Sequence, residues 1–257
     1  DPSRWRRLHR KLCCIDQQVA FCGGINILDD FFDPNHGQLE APRFDFAVRI
    51  TGKLVDDIHD AIAQVWHRNQ PNRRLRGAVD AVVQASRNVF RSHLSELPAL
   101  PADGIRSSLV LRDNLRHRSG IEQAYRKAIS QAKTEVIIAN AYFVPGRKLR
   151  KALVLAAKRG VKVQLLLQGK YEYFMQYYAA RPVYGVLLAA GVEIHEYSAS
   201  FLHAKVAVVD GQWATVGSSN LDPLSLLLAR EANVSVQHRP FAETLRSRLV
   251  FAMQHQG

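Results

Sequence analysis

Apolar positions in the second half of the chain switch between helical and strand periods. Ile121, Ala124, Tyr125, Ala128, Ile129 and Ala132 recur at helical spacing behind Ser119-Gly120-Ile121-Glu122, which has the form of a capping box. Val136 to Phe143, apolar but for Asn140 and stopped by Pro145-Gly146, has the pattern of a buried strand. Leu149, Ala152, Leu153 and Ala156 mark a second amphipathic helix closed by Gly160. Strands are expected over Val161–Leu167 and Val192–Tyr197, with a third helix between them. This βαβα rhythm predicts an α/β lobe over 105–257, with a mixed, mainly parallel sheet flanked by helices. Farther on, Lys205–Val209, the turn pair Asp210-Gly211 and Trp213–Val216 read as a hairpin.

The residues around that hairpin occur twice. L-H-R-K-L-C-C-I-D near position 9 matches L-H-A-K-V-A-V-V-D near position 203. His9, Lys11, Asp16, Gly23 and Asn26 share their offsets with His203, Lys205, Asp210, Gly217 and Asn220. Each copy then reaches an acid that opens another apolar strand, Asp45 in the first and Glu231 in the second, the first after a longer insertion through Pro34, His36 and Gly37. One His-x-Lys-x₄-Asp match can arise by chance, and a His-x-Lys on a strand is commonly a solvated edge. A second match with its Gly and Asn in register implies an internal duplication. The chain therefore divides into a first lobe (1–69), a connector (70–104) and a second lobe (105–257). Only eight residues precede His9, against roughly a hundred leading into His203, so the first lobe is expected to lack its N-terminal part and to leave apolar surface open.

Strand alternation puts His203 and Lys205 on one face and turns Asp210 away from them. Asp16 and Asp210 are accordingly expected to be turn or scaffold residues, together with Gly23 and Gly217. Two imidazoles and two ammonium groups at one point suit a phosphodiester. Lysines and asparagines, with Ser218 beside Asn220, can bind non-bridging oxygens, one neutral His can attack phosphorus, and the other can protonate the leaving alkoxide. Asp45 and Glu231 can each hold an imidazole N–H and fix its tautomer. No Cys/His set or carboxylate cluster suggests a metal, and neither metal nor cofactor is expected.

Charge narrows the partners. Thirty-five Lys and Arg against 23 Asp and Glu give a net charge of +12, which favours nucleic acid, anionic lipid headgroups or phosphate-bearing substrates. No apolar window is long enough to span a bilayer, and no signal region follows Asp1, so the chain reads as a fragment or processed form. Cys13, Cys14 and Cys22 are too few and too clustered for a disulfide framework and are expected to be reduced, packed thiols in a cytosolic setting. Arg73, Arg74, Arg76, Arg87 and Arg91 in the connector, and the tyrosine-rich run 171–178, are each either solvated or packed surface or a lipid-contacting patch.

The paired motifs resemble the phospholipase D superfamily. R-R-L-H-R-K at 6–11, A-N-A-Y-F-V-P-G at 139–146 and W-A-T-V-G-S-S-N-L-D-P-L-S-L at 213–226 resemble more narrowly the bacterial cardiolipin synthases of B type. The resemblance implies a two-lobed, pseudo-symmetric fold with an active site of His9, Lys11, Asn26, Asp45, His203, Lys205, Ser218, Asn220 and Glu231. It further implies phosphatidyl transfer between two phosphatidylglycerol molecules, with His9 as nucleophile, by a peripheral protein on the inner face of the bacterial cytoplasmic membrane. The implied partners are phosphatidylglycerol, other anionic phospholipids and the membrane surface. A phosphodiesterase or nuclease using the same residues, and a catalytically idle binding module, stay open as alternatives. Ala229-Arg230 before Glu231 and Lys53 after Gly52 depart from the family's usual pattern.

Overall fold

The computed structural model describes residues 7–33, 36–69, 104–113, 119–170, 182–222 and 229–256. The connector expected over 70–104, all but its last residue, and the tyrosine-rich run 171–178 lie outside the described residues.

The first lobe contains β1 (Arg7–Leu8), β2 (Lys11–Ile15), β3 (Val19–Gly23), β4 (Phe32–Asp33), β5 (Gly37–Gln38), β6 (Ala47–Thr51) and helix α1 (Leu54–Asn69). The second contains β7 (Arg106–Arg112), α2 (Gly120–Gln131), β8 (Glu135–Asn140), α3 (Arg147–Lys158), β9 (Lys162–Gln168), β10 (Glu193–Tyr197), β11 (Lys205–Val209), β12 (Trp213–Gly217), β13 (Ala229–Gln237) and α4 (Arg239–His255). An eight-stranded sheet runs β1-β13-β12-β11-β8-β9-β10, with β7 also on β13. Parallel pairing joins β8 to β9, β9 to β10 and β1 to β13, whereas β7, β11, β12 and β13 pair antiparallel. The sheet is therefore mixed, with parallel pairing in the part the βαβα rhythm covers and again where β1 of the first lobe joins β13. Crossover helices return β8–β10 in the same direction, while a two-residue turn can only reverse a strand. In the first lobe β2-β3-β6 is wholly antiparallel among the described residues.

Helices α2 and α3 cover one face of the large sheet over Tyr125, Ile129, Leu149, Leu153, Ile138 and Leu165. Helix α4 covers the other over Ile137, Ala139, Leu166, Leu245 and Leu249. A third cluster joins the lobes, packing Ala20, Cys22, Ile50, Val55 and Ile58 against Ala232, Val234 and Val236. Strand β8 stops at Asn140, short of the expected Phe143, and the Asn140 side chain there bonds the backbone of Ser219 and Leu221.

The duplication is visible in the backbone. Strands β2, β3 and β6 followed by α1 repeat the order β11, β12, β13 followed by α4. Gly23 pairs with Ala47 as Gly217 pairs with Asn233, each glycine facing the residue two beyond the acid. Both hairpins turn through positive φ, at Asp16 and Gln17 in the first and at Asp210 and Gly211 in the second. Burial is where the copies differ. Leu221 is fully buried beneath its bridge to Phe143, while Ile27 at the matching position is 105% exposed. On its outer edge β11 has β8, whereas β2 pairs only with β3 among the described residues. Cys22 is buried, which pushes its thiol up to about 12, but Cys13 is exposed and not packed as expected.

Candidate active site

The two copies meet head to head. Leu8 pairs in parallel with Arg230, and Leu202 in the second copy bridges in parallel to Phe44 in the first. Each motif histidine is thereby tied to the residue preceding the other copy's acid. The His9 N–H donates to Arg230 O at 3.1 Å and the His203 N–H donates to Phe44 O at 2.9 Å.

The acids consequently cross over. His9 Nδ1 lies 3.0 and 3.1 Å from the two carboxylate oxygens of Glu231, and His203 Nδ1 lies 2.7 Å from Asp45 Oδ2. With Nδ1–H donated to a carboxylate, each ring keeps Nε2 as its basic nitrogen, the arrangement that prepares an imidazole for proton transfer or attack. Neither half-site holds its own histidine by its own acid.

Both motif lysines fold back onto their own histidine. Lys11 Nζ donates to His9 O at 3.0 Å, and Lys205 Nζ donates to His203 O. Lys205 is fully buried. Burial lowers the Lys11 ammonium to about 8, against the opposing pull of Glu231 and Asp45. Burial, and then the nearby Lys205, lower the His203 pKa below its ordinary value, while Asp45 pulls the other way and Lys11 adds to the lowering. Lys11 thus feels both acids, and His203 feels both lysines, so the half-sites form one electrostatic neighbourhood.

Around this centre the copies are built differently. Ser218 Oγ donates to Glu231 Oε2 at 2.6 Å and accepts the Ala232 N–H at 3.1 Å. Gly24 takes the place of Ser218 in the first copy, its N–H donating to Phe46 O as the Ser218 N–H donates to Ala232 O. A Cβ on Gly24 would lie 2.3 Å from Asp45 Oδ1, so the shorter acid occupies the space a side chain would need. Glycine at 23 and 217 is explained in the same way: an added Cβ would meet Phe46 O at 2.3 Å or Asn233 Oδ1 at 2.1 Å. Asn220 is buried, and its Oδ1 has no hydrogen-bond partner among the described residues. Asn26 is exposed, so the two asparagines do not share an environment.

Asp210 stands at the far end of its hairpin, away from the histidines. Its carboxylate accepts from the backbone N–H groups of Lys133, Thr134 and Glu135 and from Thr134 Oγ1, all within 2.8–2.9 Å. Burial works against this charge, but the backbone hydrogen bonds from Glu135, Thr134 and Lys133 outweigh it and hold the pKa below the ordinary value. Asp16 occupies the matching turn with φ 50°.

Sequence reasoning missed two arginines and underused one asparagine. Arg112 is buried at 1% exposure opposite Glu231 in the β7–β13 ladder. Arg10, between the motif residues, donates to Glu231 O at 3.1 Å and to Arg112 O at 3.0 Å. Nothing in the local pattern marks either residue, because Arg10 reaches into the other lobe and Arg112 meets Glu231 from a strand far away in sequence. Asn140 orients the loop carrying Asn220 and was legible only through the A-N-A-Y-F-V-P-G segment. Among the described residues, no three of His, Cys, Asp and Glu gather in a way that could hold a metal ion.

The chain is similar to several known proteins. Residues 125–250 match the family "Cardiolipin synthase, PLD-like domain". The chain is 42% identical over 247 residues to cardiolipin synthase B of Escherichia coli, covering 95% of this chain and 55% of that protein. It is 28% identical over 250 residues to a probable cardiolipin synthase of Bacillus subtilis, covering 96% of this chain and 46% of that one. The chain therefore spans about half the length of the curated relatives it matches. Among solved structures, phosphatidylserine synthase of Haemophilus influenzae superposes with a TM-score of 0.65 at 14% identity, over 97% of this chain and 62% of that one. Nuc of Salmonella typhimurium, a phospholipase D family member, superposes with a TM-score of 0.52 at 19% identity, over 60% of this chain and 97% of that one. Two His-x-Lys-x₄-Asp motifs, the mixed α/β fold and these likenesses agree: the chain belongs to the phospholipase D superfamily.

Proposed function

We propose that this chain carries the reaction centre of a phosphatidyltransferase that makes cardiolipin from two molecules of phosphatidylglycerol. The observation that carries the proposal is the crossed pairing of His9 with Glu231 and of His203 with Asp45. It supports a single centre with two oriented imidazoles, which is what a two-step displacement at phosphorus requires. The neutral Nε2 of one histidine attacks the phosphorus of the first phosphatidylglycerol. The bond from phosphorus to the terminal glycerol oxygen breaks, and the other histidine, protonated, gives its proton to that alkoxide. Glycerol leaves, and a phosphatidyl-histidine remains. The second histidine, now neutral, takes the proton from the free primary hydroxyl of another phosphatidylglycerol as that oxygen attacks phosphorus, and cardiolipin departs.

Lys11, Lys205, Asn220 and, from the exposed first-copy loop, Asn26 are assigned to the non-bridging oxygens, where charge accumulates in the transition state. Ser218, Asp45 and Glu231 position the rings, and Asp16, Asp210, Gly23 and Gly217 hold the hairpins. No cofactor is assigned. His9 is the proposed nucleophile on the family resemblance, and a trapped phosphohistidine mapped to His203 would reverse the two roles. We place the protein peripherally at the inner face of a bacterial cytoplasmic membrane, where its lipids are; no helix among the described residues is long and apolar enough to cross a bilayer.

Product analysis with labelled phosphatidylglycerol tests the proposal. Cardiolipin and free glycerol are the expected products, and added glycerol should drive cardiolipin back to phosphatidylglycerol. Phosphatidic acid as the main product at every alcohol concentration would refute the transferase and leave a hydrolytic phosphodiesterase.

A further inference from the structure

Helix α3 and the arginine that follows it hold Arg147, Lys148, Arg150, Lys151, Lys158 and Arg159 without a single acid. Four of these cations stand in the first two turns, where the helix dipole disfavours positive charge. Nothing in the packing requires them there: the inward face is Leu149, Leu153 and Ala156, and Lys148 and Lys151 are exposed. A groove runs between α2 and α3, with Arg126, Lys127, Lys148, Lys151 and Arg159 on its walls and Ala152 and exposed Leu155 beside them. Its shape is fixed by Arg159, which crosses from the end of α3 to donate to Ile129 O and Ala132 O of α2. Among the described residues, Glu122 is the one carboxylate paired to these cations, 3.8 Å from Arg126. Lys127, Lys148 and Lys151 make no side-chain ion pair among the described residues.

The groove is also placed well for a substrate that arrives in a sheet of lipid. Asn140, where β8 ends, pairs with Lys205, where β11 begins, so α3 starts at the same end of the sheet as the His203 half-site. Cations around an apolar floor match an interface where phosphates lie above glycerol and acyl carbons.

We propose that the α2–α3 groove docks the phosphates of an anionic phospholipid bilayer and holds the catalytic end of the sheet against it. The inference rests on the transferase proposal for the choice of lipid over other polyanions. The test compares two doubly substituted full chains with the same net charge. Lys148→Gln/Lys151→Gln removes two charges from the groove, and Arg239→Gln/Arg248→Gln removes two from α4 on the opposite face of the sheet. Co-sedimentation with mixed phosphatidylglycerol–phosphatidylcholine vesicles reads binding without turnover, and cardiolipin formation from detergent-dispersed phosphatidylglycerol reads the site without a bilayer. Each lysine near an anionic surface contributes about fivefold in partitioning, so the groove variant should bind about 25-fold more weakly and the α4 variant close to normally. Both should retain wild-type turnover in detergent. Equal losses in the two variants, or no loss in the groove variant, would overturn the proposal. So would tighter binding of a DNA duplex than of vesicles, lost through the same two lysines. A failure of the transferase itself shows separately, as absent turnover of the unmodified chain in detergent.

Discussion

Replacing Gly24 by Ala perturbs the site through one contact. The added Cβ would sit 2.3 Å from Asp45 Oδ1, 2.8 Å from Oδ2 and 2.9 Å from Cγ. The carboxylate must retreat by about 1 Å to reach ordinary van der Waals separation, which takes Asp45 out of reach of His203 Nδ1, now 2.7 Å away. Gly24 is not among the residues with positive φ, so alanine adds no backbone strain and folding should be little affected. A hydrogen bond to a charged group contributes about 1.5–3 kcal/mol, so if it is fully expressed in the transition state kcat/KM should fall roughly 10- to 150-fold. The assay is initial-rate transfer from labelled phosphatidylglycerol, with a thermal melt alongside. Gly24→Ser combined with Asp45→Glu copies the Ser218–Glu231 arrangement of the other half-site and should recover part of the loss. Wild-type kcat/KM in Gly24→Ala, or a loss explained wholly by a lowered Tm, would refute the crossed-pair geometry as the source of activity.

Other outcomes follow from the same structure. His9→Ala and His203→Ala should each abolish turnover, and the double variant should lose little more, because residues acting as one unit are not additive; two independent half-activities would mean two sites. If the Lys11 ammonium binds substrate phosphate, kcat/KM should fall as pH rises through about 8, and Lys11→Arg should move that limb upward. Stability should respond in the opposite direction. Above about pH 8 the native state releases a proton that the unfolded chain keeps until about 10.5, so unfolding free energy rises across that window; a stability that falls there would contradict the burial of Lys11. Asp210→Ala should lower stability by about 2–4 kcal/mol through lost charge-assisted bonds and a positive φ, while sparing activity per folded molecule. Its depressed pKa means the stabilisation from Asp210 is present above the ordinary carboxylate range and lost as pH falls through the folded value, which acid titration of wild type against Asp210→Asn would read.

Local pattern carried much of this protein. Helical spacing from Ile121 to Ala132 and the apolar run from Val136 are properties of neighbouring residues, so α2 and β8 were legible without a fold. The repeat did more, since two copies of one register identified His9, Lys11, His203 and Lys205 as a set and named both acids. Asp16 and Asp210 were legible as turn residues, and both sit at positive φ just beyond the ends of β2 and β11. What tertiary structure decided was every relation between the copies. That His9 meets Glu231 and His203 meets Asp45 depends on Leu8 lying beside Arg230 and Leu202 beside Phe44, contacts between residues about 160 to 220 positions apart that no local period encodes. Arg112 was invisible for the same reason, being a strand residue whose partners come from across the sheet. The need for glycine at position 24 appeared only once the Asp45 carboxylate was seen in the space of its missing side chain. Periodicity reports which face of an element is buried, and the repeat reports which residues share a register. The pairing of one copy's acid with the other's histidine belongs to the packing of the two lobes.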